Sequence, residues 1–593
     1  MATETIPKET TLPRVLGPLA ALCVVVGSVI GSGIFMVPAD VARATPAMGP
    51  IVAVWVIGGI FSTFGALTLA ELGAMLPQAG GPYVYLREAY GRLPAFLFGW
   101  SEFLINRTGS MATLSTAFSQ YFAQIVGPPQ GMAPEVWQAG AAITAITMVV
   151  IVNVLGTAIG GGLQVIGTAL KVGGVSALIV LPFVVGGGKA ANLSPVMPEA
   201  FDLRLVSPLT ETSGIPIQGR NLVTISNVND VLYFRIFNRD KNIVFDSNER
   251  LLKGKSEQIE NLRKELSTSW PPQKVTEHEK RHIITNVASI SGRTLLTGFD
   301  ASLLTGMMVA MVGVLWAYDG WMNLTPLAED VRDPGRNIPW ALGMGMAVLV
   351  TLYLGATLAY HYVLTIDQVE AAKGAATEAV AATYCKTLLG QKGLVAISLL
   401  VMASTFISLN GNALTGPRAY FAMSRDGLFP GWLARIHPTF QTPANAVIAQ
   451  GVWAIGLIVA GTVMILWPAP GPDSGLPEFV RNAWLKLNTT PLYKILFTYV
   501  VFGANVFYLL AIASVFVLRM TRPDAPRPYK TWGYPFTPLI FVIASLYLLQ
   551  NMLRESPAES LAGVGIILAG IPAYLVFARS TAANDALARR LDS

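Results

Sequence analysis

Long apolar runs separated by short polar stretches dominate the chain. A bilayer-crossing helix needs about 20 mostly apolar residues. Twelve runs meet that need, at 15–37, 51–76, 94–122, 137–158, 163–186, 301–328, 340–363, 393–422, 444–467, 493–519, 534–553 and 559–578. The pattern breaks once. Residues 189–298 carry 27 of the chain's 76 charged residues, and no span fits inside them. The expected division is a tail (1–14), spans one to five (15–188), a soluble insertion (189–298), spans six to twelve (299–580) and a second tail (581–593). Within the insertion, Val231–Phe237 and Ile243–Asp246 flank a polar turn and predict a β-hairpin. Residues 255–269 and 276–290 read as amphipathic helices. The insertion is thus expected to be a small α+β module, either a ligand-binding sensor or a folded decoration.

Composition narrows the class. Hydrophobic residues make up 53% of the 593 and charged residues 13%, about half the usual soluble share of charge. That excludes a disordered chain, a nucleic-acid-binding domain and an ordinary cytosolic enzyme. Twelve spans put both termini on one side. With those termini in the cytoplasm, inner segments carry 16 Lys/Arg and the short outer loops 8, which favours that orientation. The net charge of +6 is therefore read as loop charge, not as a nucleic-acid patch. The insertion would lie outside the cytoplasm, where long segments are exempt from the charge rule. Cys23 and Cys385 offer no disulfide framework, and no cofactor is expected. His278 and His282 stand four apart on a predicted helix, but without a third ligand they read as a solvated face.

Two spans contain a glycine-rich interruption. Span one reads Gly27-Ser-Val-Ile-Gly31-Ser-Gly33, and span six reads Trp316-Ala-Tyr318-Asp319-Gly320-Trp321. Three glycines in seven residues weaken a helix by about 1 kcal/mol each relative to alanine. Freed backbone at membrane depth is tolerated where it lines a cavity or is buried in protein. Interrupted spans at corresponding places in two inverted halves point to a transporter's central site. The restarting half-helix offers free N–H groups and a positive dipole end, which suit a carboxylate. Freed carbonyls suit an ammonium group. Together they fit the zwitterionic end of an α-amino acid. The alternative is a small-residue packing interface; two breaks in register favour the site.

Charged residues inside spans are the other signal. Lys171 lies about eight residues into span five, roughly 12 Å deep. At that depth a lysine is a functional candidate by default, against the alternative of snorkelling to the surface. Asp319 has two readings, facing a substrate amine or N-capping the half-helix from Gly320, and the cap is favoured. Glu102 and Arg107, five apart in span three, fall on different faces of an α-helix and are assigned no substrate role. Asn153 and Gln164 read as structural hydrogen-bonders.

Five motifs in order resemble the amino acid–polyamine–organocation (APC) superfamily, especially its L-type amino acid transporter branch in a bacterial form. They are Gly31-Ser-Gly-Ile-Phe35; Pro77-Gln-Ala-Gly-Gly-Pro-Tyr83-Val-Tyr85; Tyr318-Asp-Gly-Trp321 with Glu329-Asp-Val-Arg-Asp-Pro-Gly-Arg-Asn-Ile-Pro339; Asn410–Arg418 with Met423–Pro430; and Arg527–Pro535. The resemblance covers about 12–190 and 297–580, and the insertion is foreign to it. It implies an all-α membrane protein with the LeuT-type fold, two inverted five-helix repeats plus two helices, working by alternating access. By it, backbone at Ile30, Gly31, Ser32 and Gly33 would hold the substrate carboxylate. Carbonyls near Val26, Gly27 and Trp316 would take the amine. Trp316 would also gate the substrate, and Tyr318 and Gly320 would complete the unwound segment. Lys171 would replace a structural sodium ion, contacting Ser408 and the Gly27 carbonyl. The implied activity is sodium-independent amino acid transport across the plasma membrane, by proton symport, exchange or uniport. With no pocket acid in view besides Asp319, the expected substrate is neutral. The rival is an amino-acid sensor built on the insertion; an enzyme is ranked last, since no catalytic constellation is found. Animal L-type transporters bind a heavy chain through a cysteine between spans three and four. Residues 124–136 have none, so no disulfide-linked partner is expected, and the chain would act as a monomer or non-covalent dimer among lipids.

Overall fold

The computed structural model describes residues 12–45, 47–194, 196, four strands between 213 and 246, 301–372, 379–467, 492–555 and 557–591. Span one is α1 (Pro18–Val29) and α2 (Gly33–Ala44), bent by 43°. Span two is α3 (Met48–Met75), followed by a short helix α4 (Pro82–Tyr90). Span three joins α5 (Arg92–Ser101), a π-helical turn (Glu102–Asn106) and α6 (Arg107–Ile125). Spans four and five are α7 (Pro134–Leu155) and α8 (Thr157–Val185). Span six is α9 (Ala301–Ala317), a break, and a 3₁₀ turn (Trp321–Leu327). Span seven is α10 (Pro334–Val363), followed by the short α11 (Ile366–Ala371). Span eight is α12 (Val380–Thr415), kinked at Gly390 and continued by α13 (Pro417–Arg425). Spans nine to twelve are α14 (Ala444–Leu466), α15 (Leu492–Thr521), α16 (Phe536–Glu555) and α17 (Pro557–Leu591). Among the described residues, eight helices are long and apolar enough to cross a bilayer, nine with the bent α1–α2 pair. Expected spans three, six and twelve fall outside that set for local reasons. Span three carries Glu102 and Arg107 at a π-turn, α9 stops at Ala317, and the apolar part of α17 is Gly563–Arg579.

The side chains are arranged as a lipid solvent demands. Large apolar groups point outward, with Ile166 73%, Phe183 70% and Val452 65% exposed. Charged groups point inward: Glu102, Lys171, Asp330 and Arg418 are buried. A helix satisfies its backbone internally, the requirement that limits lipid-crossing chains to helices and closed barrels.

The described residues form two compact units. The larger is built from residues up to Asp40, Val52–Asn192 and Met311 onward, the smaller from Val41–Ile51 and Leu193–Ala310. In the larger unit, α1 packs on spans five, seven and eight and on the span-six 3₁₀ turn. Spans one and six, the leading helices of the two five-helix halves, are thus both broken midway and packed together, as in the LeuT-type fold. In the smaller unit, four antiparallel strands run in order β1 (Ser213–Ile217), β2 (Asn221–Val228), β3 (Val231–Phe237) and β4 (Ile243–Asp246). The β3–β4 hairpin is the one expected. The strand β1 was hidden in sequence because Gly214 and Pro216 obscure its pattern, and proline in a sheet belongs on an edge strand, where β1 lies. The expected helices 255–269 and 276–290 lie outside the described residues, as do His278 and His282.

Candidate functional site

The two breaks meet. Span one leaves α-helical geometry at Ile30 and restarts at Gly33; span six does so between Ala317 and Trp321. A Cβ on Gly33 would lie 2.8 Å from the Ala317 Cα, so this crossing requires glycine. The Tyr353 hydroxyl of span seven lies 3.0 Å from both the Val29 and Ala317 carbonyl oxygens and bridges the breaks.

Between them lies a cavity of ≈ 70 Å³. Span one supplies Ser28, Val29, Gly31, Ser32 and Gly33, and span six Trp316, Ala317, Asp319, Gly320 and Asn323. Span three adds Glu102, Asn106, Arg107, Ser110, Thr113 and Leu114; span eight adds Asn412; span ten adds Ala504 and Tyr508. Ser32 and Gly33 sit at the start of α2, whose first N–H groups have no intrahelical acceptor. The Ser28 Oγ is buried without a hydrogen-bond partner.

Of the residues anticipated from sequence, Gly31, Ser32, Gly33, Trp316, Asp319 and Gly320 line the cavity, while Val26, Gly27, Ile30 and Tyr318 do not. The Val26 carbonyl accepts the Ile30 N–H. The Gly27 and Ile30 carbonyls accept from Lys171. The Tyr318 hydroxyl donates to the Trp55 carbonyl, and its ring packs on Trp55 and Tyr353. The favoured cap reading of Asp319 is corrected. The 3₁₀ turn begins at Trp321, its cap position is Gly320 with φ of 110°, and no side chain caps it. Asp319 instead faces the cavity and accepts from the Tyr508 hydroxyl at 2.7 Å.

The reading of span three is also corrected. The π-turn closes with the Arg107 N–H on the Glu102 carbonyl, five residues back. A π-turn brings positions five apart onto one face, and Arg107 Nε lies 2.6 Å from Glu102 Oε2. Arg107 further donates to Asn323 and to Asn412 Oδ1. The guanidinium therefore ties spans three, six and eight together at the cavity wall. The premise that the pocket holds no acid besides Asp319 fails with this, because Glu102 lines it too.

Behind the cavity, Lys171 lies 1% exposed. Its Nζ is 2.6 Å from the Gly27 oxygen, 2.6 Å from the Ile30 oxygen and 2.7 Å from Ser408 Oγ. Three donors meet three acceptors, and spans one, five and eight are joined. Ser404 adds a 2.8 Å bond to the Ile30 oxygen. The amides expected to be structural form a chain in which Asn153 donates to Asn410, and Asn410 to Gln164. A second buried ion pair, Arg418–Asp330 at 3.4 Å, links span eight to the segment after span six. Sequence reasoning passed over Ser28, Asn106, Asn323, Asn412 and Tyr508 as well as the Glu102–Arg107 pair. Ser28 and Asn412 fall inside stretches already singled out, but no local spacing joins any of these residues to the others.

The signature of the amino acid permease family matches residues 16–226 and 276–577. It leaves 227–275 unmatched. The b(0,+)-type amino acid transporter 1 of Mus musculus is 28% identical over 96% of this chain and 89% of its own length. The serine/threonine exchanger SteT of Bacillus subtilis is 25% identical over 96% of this chain and 97% of its own. The human cystine/glutamate transporter is 25% identical over 96% and 86%. These relatives are transporters, not enzymes. With two broken spans enclosing a polar cavity and a family signature across most of its length, the chain belongs to the amino acid permease family, within the APC superfamily, and is a multi-pass membrane protein that transports amino acids.

Proposed function

We propose that this permease moves amino acids without sodium, by alternating access around the cavity between spans one and six. The observation that carries the proposal is the Lys171 ammonium, held by the Gly27 and Ile30 carbonyls and Ser408. A fixed positive charge with oxygen ligands from spans one and eight does the work of a bound cation, so sodium has nothing to add there. The substrate carboxylate binds at the start of α2, through Ser32 and Gly33. The amine turns toward Ser28 and Asp319, because the Val26 and Gly27 carbonyls are already engaged. The wall of Glu102, Arg107, Asn323 and Asn412 meets the substrate side chain. This favours polar side chains, in keeping with the substrates named for SteT and the cystine/glutamate transporter. The termini are cytoplasmic in the plasma membrane, by the bias of basic loops. Cys23 and Cys385 are both buried, which supports a chain that works without a disulfide-linked partner.

The test is uptake of a labelled amino-acid panel into proteoliposomes, with choline in place of sodium and with an imposed pH gradient. Saturable uptake in choline is expected, and a gradient response separates proton symport from exchange or uniport. Uptake that requires sodium would overturn sodium independence. No uptake of any amino acid by folded protein would overturn the transport cycle proposed here.

A further inference from the structure

At the end of the molecule where α10 begins, most basic side chains are matched. Arg87 pairs with Asp426, Arg522 with Glu88, Arg425 with Glu329, and Arg519 with Glu71. Three are not. Arg332, Arg336 and Lys530 are exposed, and no carboxylate lies within ion-pair distance of them among the described residues, although Asp333 and Asp524 are close in sequence. They belong to two segments that touch, since a Cβ on Gly335 would lie 3.0 Å from Pro528. Arg336 and Trp340 stand one turn apart at the start of α10, and Arg332 lies just before it. Lys530 and Trp532 lie in the segment leading into α16, whose first residue is Phe536. Trp340, Trp532 and Phe536 are 44%, 73% and 68% exposed.

The floor between these walls is α3. Ile338 and Val350 of α10 pack against its Gly73 and Gly59, and Phe541 of α16 stacks on its Phe61 at 4.2 Å. Deeper along α16, Leu539, Ile540 and Ile543 are exposed. Unpaired cations at the rim, aromatic residues one turn deeper and aliphatic residues below them match a phospholipid from phosphate to acyl chain. A zwitterionic lipid would leave the rim charge uncompensated.

We propose that the groove between α10 and α16, floored by α3, is a binding site for an anionic phospholipid, with its headgroup held by Arg336, Lys530 and Arg332 and its chain laid beside Trp340, Trp532 and Phe536. The site stands apart from the substrate cavity and does not depend on the transport reading.

The test is native mass spectrometry of the whole detergent-purified protein with equal amounts of phosphatidylglycerol and phosphatidylcholine of matched chains. Preferential retention of phosphatidylglycerol is expected. Arg336→Gln with Lys530→Gln should cut that preference about fivefold per charge removed. The exposed Lys392→Gln control should leave it intact. Trp532→Ala should weaken retention of both lipids. Equal retention of the two lipids by the unaltered protein, or a preference that survives the double substitution, would overturn the proposal.

Discussion

Glu102 and Arg107 are five residues apart in span three and form a 2.6 Å ion pair on the cavity wall, because a π-turn between them places both on one face. Removing one member of such a pair strands a buried charge, at a cost of about 3–5 kcal/mol. Arg107→Met is therefore expected to lower the unfolding midpoint sharply in detergent. Adding Glu102→Gln should recover part of the loss, because the stranded charge goes with it. A double variant no more stable than Arg107→Met would show that the two are not coupled.

Lys171 and Ser408 differ in weight. Lys171→Ala removes all three bonds to spans one and eight. Ser408→Ala removes one acceptor from a buried ammonium, worth about 1–3 kcal/mol. Initial uptake, normalised to protein in the membrane, should fall by at least about tenfold for Lys171→Ala and less for Ser408→Ala. Normal uptake by Lys171→Ala would sink the cation-replacing role.

Glycine at the crossing is a steric requirement. Gly33→Ala drives a methyl against the Ala317 backbone of span six, and uptake should be lost while the protein still reaches the membrane. Gly162, on the exposed face of α8, has nothing within 4 Å of its would-be Cβ. Gly162→Ala should leave uptake unchanged and raise stability by up to about 1 kcal/mol. Equal effects of the two substitutions would contradict the packing argument.

Glu329 staples three segments. Its carboxylate accepts the Leu12 N–H at 2.8 Å and the Ala79 N–H at 3.0 Å, and it pairs with Arg425 at 3.3 Å. Beside it, Leu16 bridges Val331 in parallel. In Glu329→Ala, amide hydrogen exchange should accelerate across residues 12–16 and near Ala79, while protection in α8 is unchanged. Unchanged exchange at residues 12–16 would mean that the Leu16–Val331 pairing holds the segment alone.

Much of the architecture was readable along the chain. Apolar runs marked the spans, and glycine clusters marked the breaks at Gly31–Gly33 and Gly320. Lys171 declared itself as a charge at depth. These are local signals, carried by one window of sequence each, and bilayer burial makes them loud. The Asp319 assignment failed because Asp-Gly before an apolar run is an N-cap pattern wherever it occurs. Its partner, Tyr508, comes 189 residues later.

The cavity wall depended on rotation and meeting, which no window records. One extra residue in the turn at Glu102–Asn106 turns everything after it by about 100° around the helix axis. That rotation carries Arg107 from a position off the Glu102 face to one that reaches Glu102, Asn323 and Asn412 together. Arg418 likewise finds Asp330 from 88 residues away, and Lys171 finds Gly27 from 144. Hydropathy and glycine placement act on the chain residue by residue, so they set the spans, the breaks and the depth of Lys171. The pairing of isolated polar groups is settled when helices pack in a low-dielectric interior, where each buried donor must find an acceptor on whichever neighbour faces it.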